Sequence, residues 1–393
     1  MRRVERVDVA VVGAGLIGSA AARSLAARGV TGVLLEQFAL GHARGSSHGA
    51  NRVFRFSYPD PDYVRMAVAA REAWARLQAD AGEELLVTTG GLDAGPGAEA
   101  CAAALAECGV ECHWLGPADL RDRFGGIAAG PGERMLFQPR AGVCLAGQTV
   151  AALQRLARRD GVPSRPGTAV SAIEPEAGRV TLRTPAGDIS ARTAIVAAGP
   201  WSEALLTGAV ARAPRLTPTV QQVRYFRPRP GAGSWPVLLE WPEDGRVWYT
   251  VPQAGGAPGV KVAAHAPGPP VDPRDGPFGR IDPAPEEAAA GYVRQRLPGL
   301  EPVPLAAETC LYTMTADEDF VLGRDGPVVV AAGCSGHAFK FGPLLGEVLA
   351  ALALGEDPAV PLDRFALSRP ALSRPALSQP ALSRPALARD PGD

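Results

Sequence analysis

Three glycines near the start of the chain constrain its fold more than any other feature. They follow directly on Val7–Val12, a short apolar run that predicts a buried parallel strand. Gly13 permits a tight turn, Gly15 lets the backbone approach a pyrophosphate, and Gly18 lets a helix pack closely on the strand. The pattern predicts the phosphate-binding turn of a dinucleotide-binding fold.

The residues after the glycines complete a βαβ unit of about thirty residues. An alanine-rich run at 19–28, ended by Gly29, predicts a helix whose N-terminus faces the phosphates. The run 32–36 predicts the second strand, and its last residue, Glu36, is placed to accept a ribose hydroxyl. A glycine triplet alone is a weak signal, but a strand, helix and acid in register predict dinucleotide binding.

The next residues do not continue as a nicotinamide-binding domain would, with further alternating strands and helices. A polar, glycine-rich loop occupies 40–52, and a helix is predicted over 63–81. A strand-rich section is predicted to begin at Thr89. Two later apolar runs, 193–199 and 328–333, again end in a glycine turn, as further contacts with a long cofactor require. This spacing predicts an α/β fold in which a cofactor domain is interleaved with a second domain.

We place the domain boundaries where these patterns change. The cofactor domain is predicted to comprise 1–88, 144–216 and 319–365, and the substrate domain 89–143 and 217–318. An approximate Ala-Leu-Ser-Arg-Pro repeat follows, with proline at every fifth position, which forbids a continuous helix or a central strand. We therefore expect 366–393 to form an extended, mostly unstructured tail.

Composition excludes several classes of function. The 393 residues are 46% hydrophobic and 21% charged, and the net charge of -1 does not favour nucleic acid or an anionic membrane as a partner. The six cysteines have no paired spacing, which favours a cytoplasmic protein over a disulfide framework. No window reaches a membrane span, and Asp8 interrupts the apolar run that resembles a signal peptide. We expect a soluble protein without a metal site.

Lysine is almost absent from the chain. Only Lys261 and Lys340 are lysines among the 40 basic residues of Lys and Arg. Where arginine has replaced lysine almost everywhere, a retained lysine is a candidate for a position that needs a compact, titratable ammonium. Chance survival on a solvated surface is the alternative.

Five segments in the right order resemble the monomeric sarcosine oxidase and N-methyltryptophan oxidase family of D-amino-acid-oxidase-like flavoproteins, over about residues 7–370. The segments are Gly13–Gly18, Gly45–Arg55, Gly259–His265, Cys310–Thr313 and Gly336–Phe341. The resemblance implies a glutathione-reductase-like FAD-binding domain and a substrate domain with a mixed antiparallel sheet. It also implies a monomer.

The resemblance implies that FAD is bound covalently through Cys310, which precedes a Leu-Tyr-Thr run. Without it, Cys310 would be interpreted as a buried structural cysteine. His48 is placed near the attachment region, although it could equally cap its loop. The cofactor contacts implied besides the glycines and Glu36 are Leu16, Ile17, Ser46, His48, Arg52, Val170, Gly199, Trp201, Gly336, His337 and Lys340.

The same family pattern assigns roles in the reaction. Arg55 and Lys340 correspond to the pair that holds the substrate carboxylate, as a guanidinium fork and a point charge. Arg52 corresponds to an arginine against the flavin, and Lys261 to the lysine over the ring where oxygen is activated. The residues expected to line the substrate pocket are His265, Tyr249 and Tyr312.

The implied activity is oxidation of a secondary or N-methylated amino acid to an imine, with reduction of O2 to H2O2. Three departures leave the substrate open: Phe56 stands where relatives often have His, Ala50-Asn51 replaces their Asp-Thr, and 240–248 differs around the expected entrance. The alternatives are oxidation of a cyclic amino acid such as proline or pipecolate, and a dehydrogenase with another electron acceptor. A non-catalytic flavoprotein subunit would not need both lysines and the arginine pair.

Overall fold

A computed structural model describes residues 4–241, 247–275 and 280–374. Within these residues the helices are α1 (Leu16–Ala26), α2 (Pro61–Ala81), α3 (Gly97–Glu107), α4 (Pro117–Arg123), α5 (Ala146–Arg159), α6 (Ser202–Leu206), α7 (Ala284–Arg296) and α8 (Gly342–Leu354). The strands of the first half are β1 (Glu5–Val12), β2 (Gly32–Leu35), β3 (Asn51–Phe54), β4 (Leu86–Thr88), β5 (Gly91–Ala94), β6 (His113–Leu115), β7 (Met135–Gln138), β8 (Gly142–Leu145) and β9 (Ser164–Arg165). Those of the second half are β10 (Ala172–Glu176), β11 (Arg179–Arg183), β12 (Ile189–Val196), β13 (Thr217–Pro228), β14 (Val237–Glu240), β15 (Val247–Val251), β16 (Val260–His265), β17 (Leu300–Met314), β18 (Val321–Asp325) and β19 (Val328–Ala332).

The first sheet contains the glycine-rich unit. Its central strands β2, β1, β12 and β19 are parallel and almost wholly buried, because helices cover them. Helix α1 packs against α5 and α8, and their alanines and leucines form one core with the underside of the sheet. The antiparallel strands β10 and β11 extend the sheet beyond β12. The carboxyl ends of the parallel strands thus form one edge, where ligands bind in such sheets.

The second sheet has the order β17-β13-β16-β15-β14-β5-β7-β6 and is antiparallel except where β14 pairs with β5. Helix α7 packs against β17. A third, small sheet of β3, β8 and β4 connects the chain between the two larger sheets. The predicted interleaved α/β fold is confirmed. The strands of the two large sheets lie within the intervals we assigned to the two domains, although the boundaries themselves stay a prediction.

Two local expectations were wrong and one was incomplete. Helix α1 begins at Leu16, inside the glycine motif, and not at Ser19. The section after Thr89 has the predicted strands, but two helices that were not predicted, α3 and α4, lie between them. The start of the proline-rich tail was expected to be unstructured, but it packs on the body of the protein. Leu372 in this segment is fully buried in a hydrophobic cluster with residues of the first sheet. The remainder of the repeat, 375–393, lies outside the described residues. No helix in the described part of the chain is long and apolar enough to cross a bilayer.

Candidate active site

Two cavities meet at His48. The larger, a cleft of ≈ 600 Å³, runs along the carboxyl ends of the first sheet, and the smaller, of ≈ 100 Å³, lies under the second sheet. His48 lines both, so the two spaces are neighbours. The arrangement suits a long ligand in the cleft whose end reaches a small substrate in the pocket.

The glycine turn opens the cleft as expected. Gly13 has φ of +99°, a conformation that L side chains rarely adopt, and a Cβ on Gly18 would lie 1.9 Å from the carbonyl oxygen of Gly13. Gly18 itself lies behind the cleft and lets α1 pack on the turn. At the start of α1, the amide of Leu16 donates to Ser47 Oγ at 3.0 Å. Ser47 thus occupies the anion-binding end of the helix.

Glu36 is buried at the floor of the cleft. Its carboxylate accepts the amides of Ala14 at 2.9 Å and Phe38 at 3.0 Å, and lies 3.4 Å from His42 Nε2. Burial raises the pKa of Glu36, but these hydrogen bonds outweigh it, and the net pKa is below its usual value. The acid predicted to bind ribose therefore also fixes the glycine turn.

The smaller pocket gathers side chains from segments far apart in sequence. Strands β3, β15, β16 and β17 and the turn before α8 contribute to it. The predicted residues among its lining are His48, Arg52, Arg55, Tyr249, Lys261, His265, Cys310, Tyr312, Gly336, His337 and Lys340. The predicted residues that line the cleft are Gly13, Gly15, Leu16, Ile17, Glu36, Ser46, His48, Val170, Gly199 and Trp201. Every residue that we predicted at the site, except Gly18, lines one of the two cavities.

Arg55 is a buried cation at one end of the pocket. It is 5% exposed, and its guanidinium lies over the Tyr58 ring, with 4.0 Å from Cζ to the ring centroid. The Trp241 ring centroid is 5.4 Å away. Among the described residues, Nη1 of Arg55 has no hydrogen-bond partner. A buried guanidinium with an unused donor is suited to bind an anion.

Lys340 is the second buried cation, with 4% exposure. Its Nζ donates to Tyr58 Oη at 2.9 Å and to the carbonyl oxygen of His337 at 2.6 Å. Burial, and secondly the charge of Arg55, hold the pKa of Lys340 well below its usual value. An anion bound between the two cations would raise that pKa again, so the pair favours an anionic ligand.

Lys261 lies on β16 in the wall of the same pocket and is 3% exposed. Nζ donates to the carbonyl oxygen of Asn51 at 2.8 Å and lies 5.4 Å from the centroid of the Tyr225 ring. Burial, and secondly the Arg52 guanidinium, lower the pKa of Lys261 to about 7, while the Glu308 carboxylate opposes the shift. Lys261 can therefore exchange a proton near neutral pH.

Arg52 is held by main-chain oxygens. Its guanidinium donates to the carbonyl oxygens of Ser46 at 2.9 Å, His48 at 2.7 Å and Asn51 at 2.8 Å. These neutral acceptors fix the group, and its Cζ lies 5.6 Å from the centroid of the Phe339 ring. The expected place beside a cofactor ring is consistent with this geometry.

Cys310 lies on β17 between two other pocket residues, Glu308 and Tyr312. Burial raises the pKa of its thiol, while the charges of Arg52 and Lys261 oppose the shift. The Glu308 carboxylate accepts the Tyr225 hydroxyl at 2.8 Å. The pocket therefore has a thiol, two cations and a carboxylate within one wall.

The aromatic side of the pocket is formed by the three residues expected to contact substrate. His265 Nδ1 and Tyr312 Oη are 3.3 Å apart, and Tyr312 also hydrogen-bonds to Tyr249. Burial, together with the charges of Arg55 and Lys340, lowers the pKa of His265 to about 4. His265 is therefore neutral at physiological pH.

Several residues of the site were not predicted individually, among them Ser47, Tyr58, Trp241 and Glu308, although Trp241 falls within the 240–248 segment expected around the entrance. Trp241 is fixed by Asp93, a wholly buried acid that accepts its Nε1 at 3.2 Å. Tyr58 has no local signal, since its role depends on Lys340, which is distant in sequence. Glu308 could have been found, because it lies two residues before Cys310 and alternation puts both on one face of a strand.

Comparisons with known proteins agree with this geometry. The sequence model of the FAD dependent oxidoreductase family matches residues 8–352. The chain is 33% identical to the peroxisomal sarcosine oxidase of Homo sapiens, covering 92% of this chain and 96% of that protein. It is 32% identical to the monomeric sarcosine oxidase of Bacillus sp. strain NS-129, with the same coverage.

A solved structure has the same fold. NikD, described as an unusual amino acid oxidase essential for nikkomycin biosynthesis, superposes in its open form with a TM-score of 0.82. It is 28% identical in sequence, and the match covers 92% of this chain and 97% of NikD. The resemblance found in the five sequence segments is thus confirmed over nearly the whole chain. The protein belongs to the D-amino-acid-oxidase-like family of FAD-dependent oxidoreductases and is an oxidoreductase of the sarcosine oxidase-like kind.

Proposed function

We propose that this protein oxidises a secondary or N-methylated amino acid to an imine and reduces O2 to H2O2. One observation carries the proposal: two buried cations, Arg55 and Lys340, line the same small pocket as Lys261, and Nη1 of Arg55 has no hydrogen-bond partner among the described residues. Arg55 and Lys340 can bind a substrate carboxylate, and the charge of Lys261 can stabilise the anion that forms when oxygen is reduced. A pocket of this kind favours an amino-acid oxidase over a non-catalytic subunit.

The residues present fit FAD. The cleft is long, it starts at a glycine turn without room for side chains, and it ends at His48, whose buried Nε2 has no partner among the described residues. Gly13, Gly15 and the start of α1 would hold the pyrophosphate, and Glu36 the ribose. When bound, FAD accepts a hydride equivalent from the carbon next to the substrate nitrogen and passes the electrons to oxygen.

The chain's own residues orient the substrate and exclude water. Arg55 and Lys340 bind the carboxylate, which fixes the amino acid at one end of the pocket. The aromatic rings of Tyr249, Tyr312 and Trp241 close the remaining sides. His265 is neutral and therefore does not repel a substrate amine by charge. No side chain of the described pocket has to act as a general base if the amine arrives neutral.

A cyclic amino acid is the second candidate substrate. The walls around the substrate position are apolar or aromatic, with Leu239, Trp241, Val247 and Tyr249 in one patch. This patch offers more apolar surface than the single methyl group of sarcosine can cover, which favours a ring such as that of proline or pipecolate.

The experiment that tests the function is anaerobic bleaching of the visible cofactor absorbance with a panel of amino acids. We expect sarcosine, N-methylated amino acids, L-proline or L-pipecolate to bleach the enzyme. Amines of matched size without a carboxylate, such as dimethylamine and pyrrolidine, should not do so, because Arg55 and Lys340 then lack their ligand. Bleaching by the amines and not by the acids would contradict the proposal.

We further propose that Cys310 carries the cofactor covalently. The family resemblance and the position of Cys310 in the wall of the pocket that His48 also lines support this, and the charges of Arg52 and Lys261 oppose the rise in thiol pKa that burial causes. We expect the yellow colour to stay with the protein after acid precipitation, and mass spectrometry to find the Cys310 peptide heavier by one FAD.

A matched control is available in Cys334, which lines the cleft instead of the pocket. Cys334→Ser should keep the bound colour, and Cys310→Ser should release it on denaturation. An unmodified Cys310 peptide from a fully yellow preparation would contradict covalent attachment. It would leave the amine oxidase proposal untouched.

A monomer and a cytoplasmic location are also part of the proposal. They are supported by the monomeric relative in Bacillus and by the absence of any disulfide among the six cysteines, all of which the structure describes. Size-exclusion chromatography with light scattering tests the first.

A further inference from the structure

A chain of hydrogen bonds behind the pocket has a fixed direction. His337 Nε2 lies 3.1 Å from the carbonyl oxygen of Glu318, and because a carbonyl can only accept, Nε2 carries the proton. Burial holds the pKa of His337 well below its usual value, so the ring is neutral and Nδ1 is an acceptor. The Tyr58 hydroxyl therefore donates to Nδ1, at 3.1 Å, and its oxygen accepts Nζ of Lys340.

This chain determines where the Lys340 ammonium lies. An ammonium has three donors, and two are used, on the Tyr58 hydroxyl and on the carbonyl oxygen of His337. One acceptor is the main-chain carbonyl of His337 itself. The other, the Tyr58 hydroxyl, is held by Nδ1 of the His337 ring, and Nε2 of that ring donates to the carbonyl oxygen of Glu318. The carbonyl of Glu318 is thus one end of the chain of hydrogen bonds that holds the Lys340 ammonium.

The backbone of Glu318 has an unfavourable conformation that neighbouring contacts must maintain. Its φ is +62°, in the left-handed region that a residue with a side chain adopts only when neighbouring structure maintains it. Glu318 belongs to the loop 315–320, in which Thr315 Oγ1 donates to the carbonyl oxygen of Asp319 at 2.9 Å. We call this segment the 315–320 loop.

Arg369 binds the 315–320 loop on both sides of Glu318. Nε and Nη2 donate to the two oxygens of the Asp317 carboxylate at 2.7 and 3.1 Å. Nη2 also donates to the carbonyl oxygen of Asp319 at 2.8 Å, and Nη1 to that of Phe320 at 2.7 Å. One planar guanidinium thus fixes four acceptors around one strained residue, which a lysine could not do.

Arg369 lies in the first copy of the Ala-Leu-Ser-Arg-Pro repeat, which is anchored at both ends. Upstream, Arg364 binds the carboxylate of Asp319 at 2.9 Å. Downstream, Leu372 is buried, and its carbonyl oxygen accepts the amide of Arg215 at 2.9 Å. We call residues 363–373 the C-terminal strap.

We propose that the C-terminal strap, through Arg369, is a positioning device for the substrate carboxylate: it fixes the 315–320 loop, and the loop sets Lys340 through His337 and Tyr58. The inference rests on the proposed role of Lys340 in carboxylate binding. It gives the arginine of the first copy a task that the arginine of the second copy does not share. Arg374 occupies the same place in the next copy, but its side chain is exposed.

The test compares Arg369→Ala with Arg374→Ala, two identical changes one repeat apart. Each loaded enzyme is titrated anaerobically with sarcosine or L-proline, whichever reduces the wild type. We expect the dissociation constant for the amino acid to rise about tenfold in Arg369→Ala, because a small misplacement of a binding group weakens a desolvated contact. Arg374→Ala should match the wild type, and Arg369→Lys should recover only part of the loss. The rate of reoxidation by oxygen should stay within about twofold of wild type in every variant, because Lys261 is not part of the chain of hydrogen bonds that ends at Lys340.

A merely structural strap gives another result. Arg369→Ala would then unfold at a lower temperature while its affinity for the amino acid stayed that of the wild type, and the proposal would be overturned. If Arg369→Ala does not fold, Asp317→Asn, which keeps the volume and removes the charge, is judged by the same affinity. If no secondary amino acid reduces the wild type, the proposed function fails, and affinity for acetate, measured through the cofactor spectrum, still decides the role of the strap.

Discussion

Replacing Lys261 by Met is expected to slow the reaction of the reduced enzyme with oxygen by about two or more powers of ten, while reduction by the amino acid changes little. The first electron that reaches oxygen creates superoxide, an anion where there was none. A fixed ammonium beside that point stabilises the anion but contributes little to hydride transfer. Met keeps the volume of the stem and removes the charge. Stopped-flow measurement of the two half-reactions gives both rates.

The size of the effect follows from the burial of Lys261. With 3% exposure and a neutral carbonyl as its acceptor, the charge acts at low dielectric. One well-placed charge of this kind typically contributes about 3 kcal/mol, which at about 1.4 kcal/mol per decade is roughly a hundredfold. Lys261→Arg should recover only part of the rate, because a larger, delocalised cation cannot occupy the same point.

The pH dependence of oxygen reactivity gives a second signature of Lys261. The pKa of Lys261 is lowered to about 7, so the charged form is present below that pH and is lost above it. A bound reduced cofactor that carries a negative charge beside Lys261 would raise this pKa, so the expected midpoint is at or above about 7. We expect the wild-type rate with oxygen to fall as pH rises through this midpoint toward the rate of the Met variant, whose own profile is flat.

The other lysine provides the matched control. Lys340→Met removes the same charge from the same kind of buried site, yet it should weaken amino-acid binding and leave the oxygen reaction unchanged. Each lysine thus affects a different half of the cycle. If Lys261→Met reoxidises as fast as the wild type, Lys261 is a bystander. The oxidase assignment would then depend on similarity alone.

Removal of either carboxylate-binding cation is the second large effect. We expect Arg55→Ala and Lys340→Ala each to weaken binding of the amino acid by about 2–5 kcal/mol, because one cation is left to hold a desolvated carboxylate. Both side chains are at least nine-tenths buried, so water cannot replace the lost partner well. The dissociation constant comes from the dependence of anaerobic reduction on substrate concentration.

An exposed arginine controls for the general loss of charge. Arg140 lies near the Phe56 ring, on the surface, and Arg140→Ala should leave the affinity at the wild-type value. If both pocket variants saturate at the wild-type concentration, the substrate is not held by its carboxylate. That result would contradict the proposal of an amino-acid substrate, but it would not contradict the membership of the protein in the FAD-dependent family.

Much of the fold was predictable because its signals are local. The strand, the three glycines and Glu36 lie within one short stretch, and each residue acts on its neighbours in sequence. The start of α1 was misplaced because a glycine-rich run has low helix propensity, whereas here the helix end is held by the distant Ser47. Helix α3 was missed because its alanine-rich run of eleven residues has no strong amphipathic period, and α4 because seven residues are too few to show one.

The site was less predictable because its remaining contacts join distant segments. Trp241 lines the pocket only because Asp93, on another strand, accepts its indole proton. Tyr58 connects Lys340 to His337 across most of the chain. The C-terminal strap was not predicted because a repeat with proline at every fifth position is typical of an extended tail. No neighbouring residue in the sequence distinguishes Arg369 from Arg374. The contacts of Arg369 with the distant 315–320 loop make that difference.

The most direct test of the central claim is the stoichiometry of aerobic turnover. Oxygen uptake and peroxide formation are followed together while the enzyme consumes the amino acid that bleached it most readily without oxygen. We expect equal molar amounts of substrate oxidised, oxygen consumed and H2O2 formed. Fast anaerobic bleaching with almost no oxygen uptake, relieved only by an added quinone, would contradict it and make the protein a dehydrogenase.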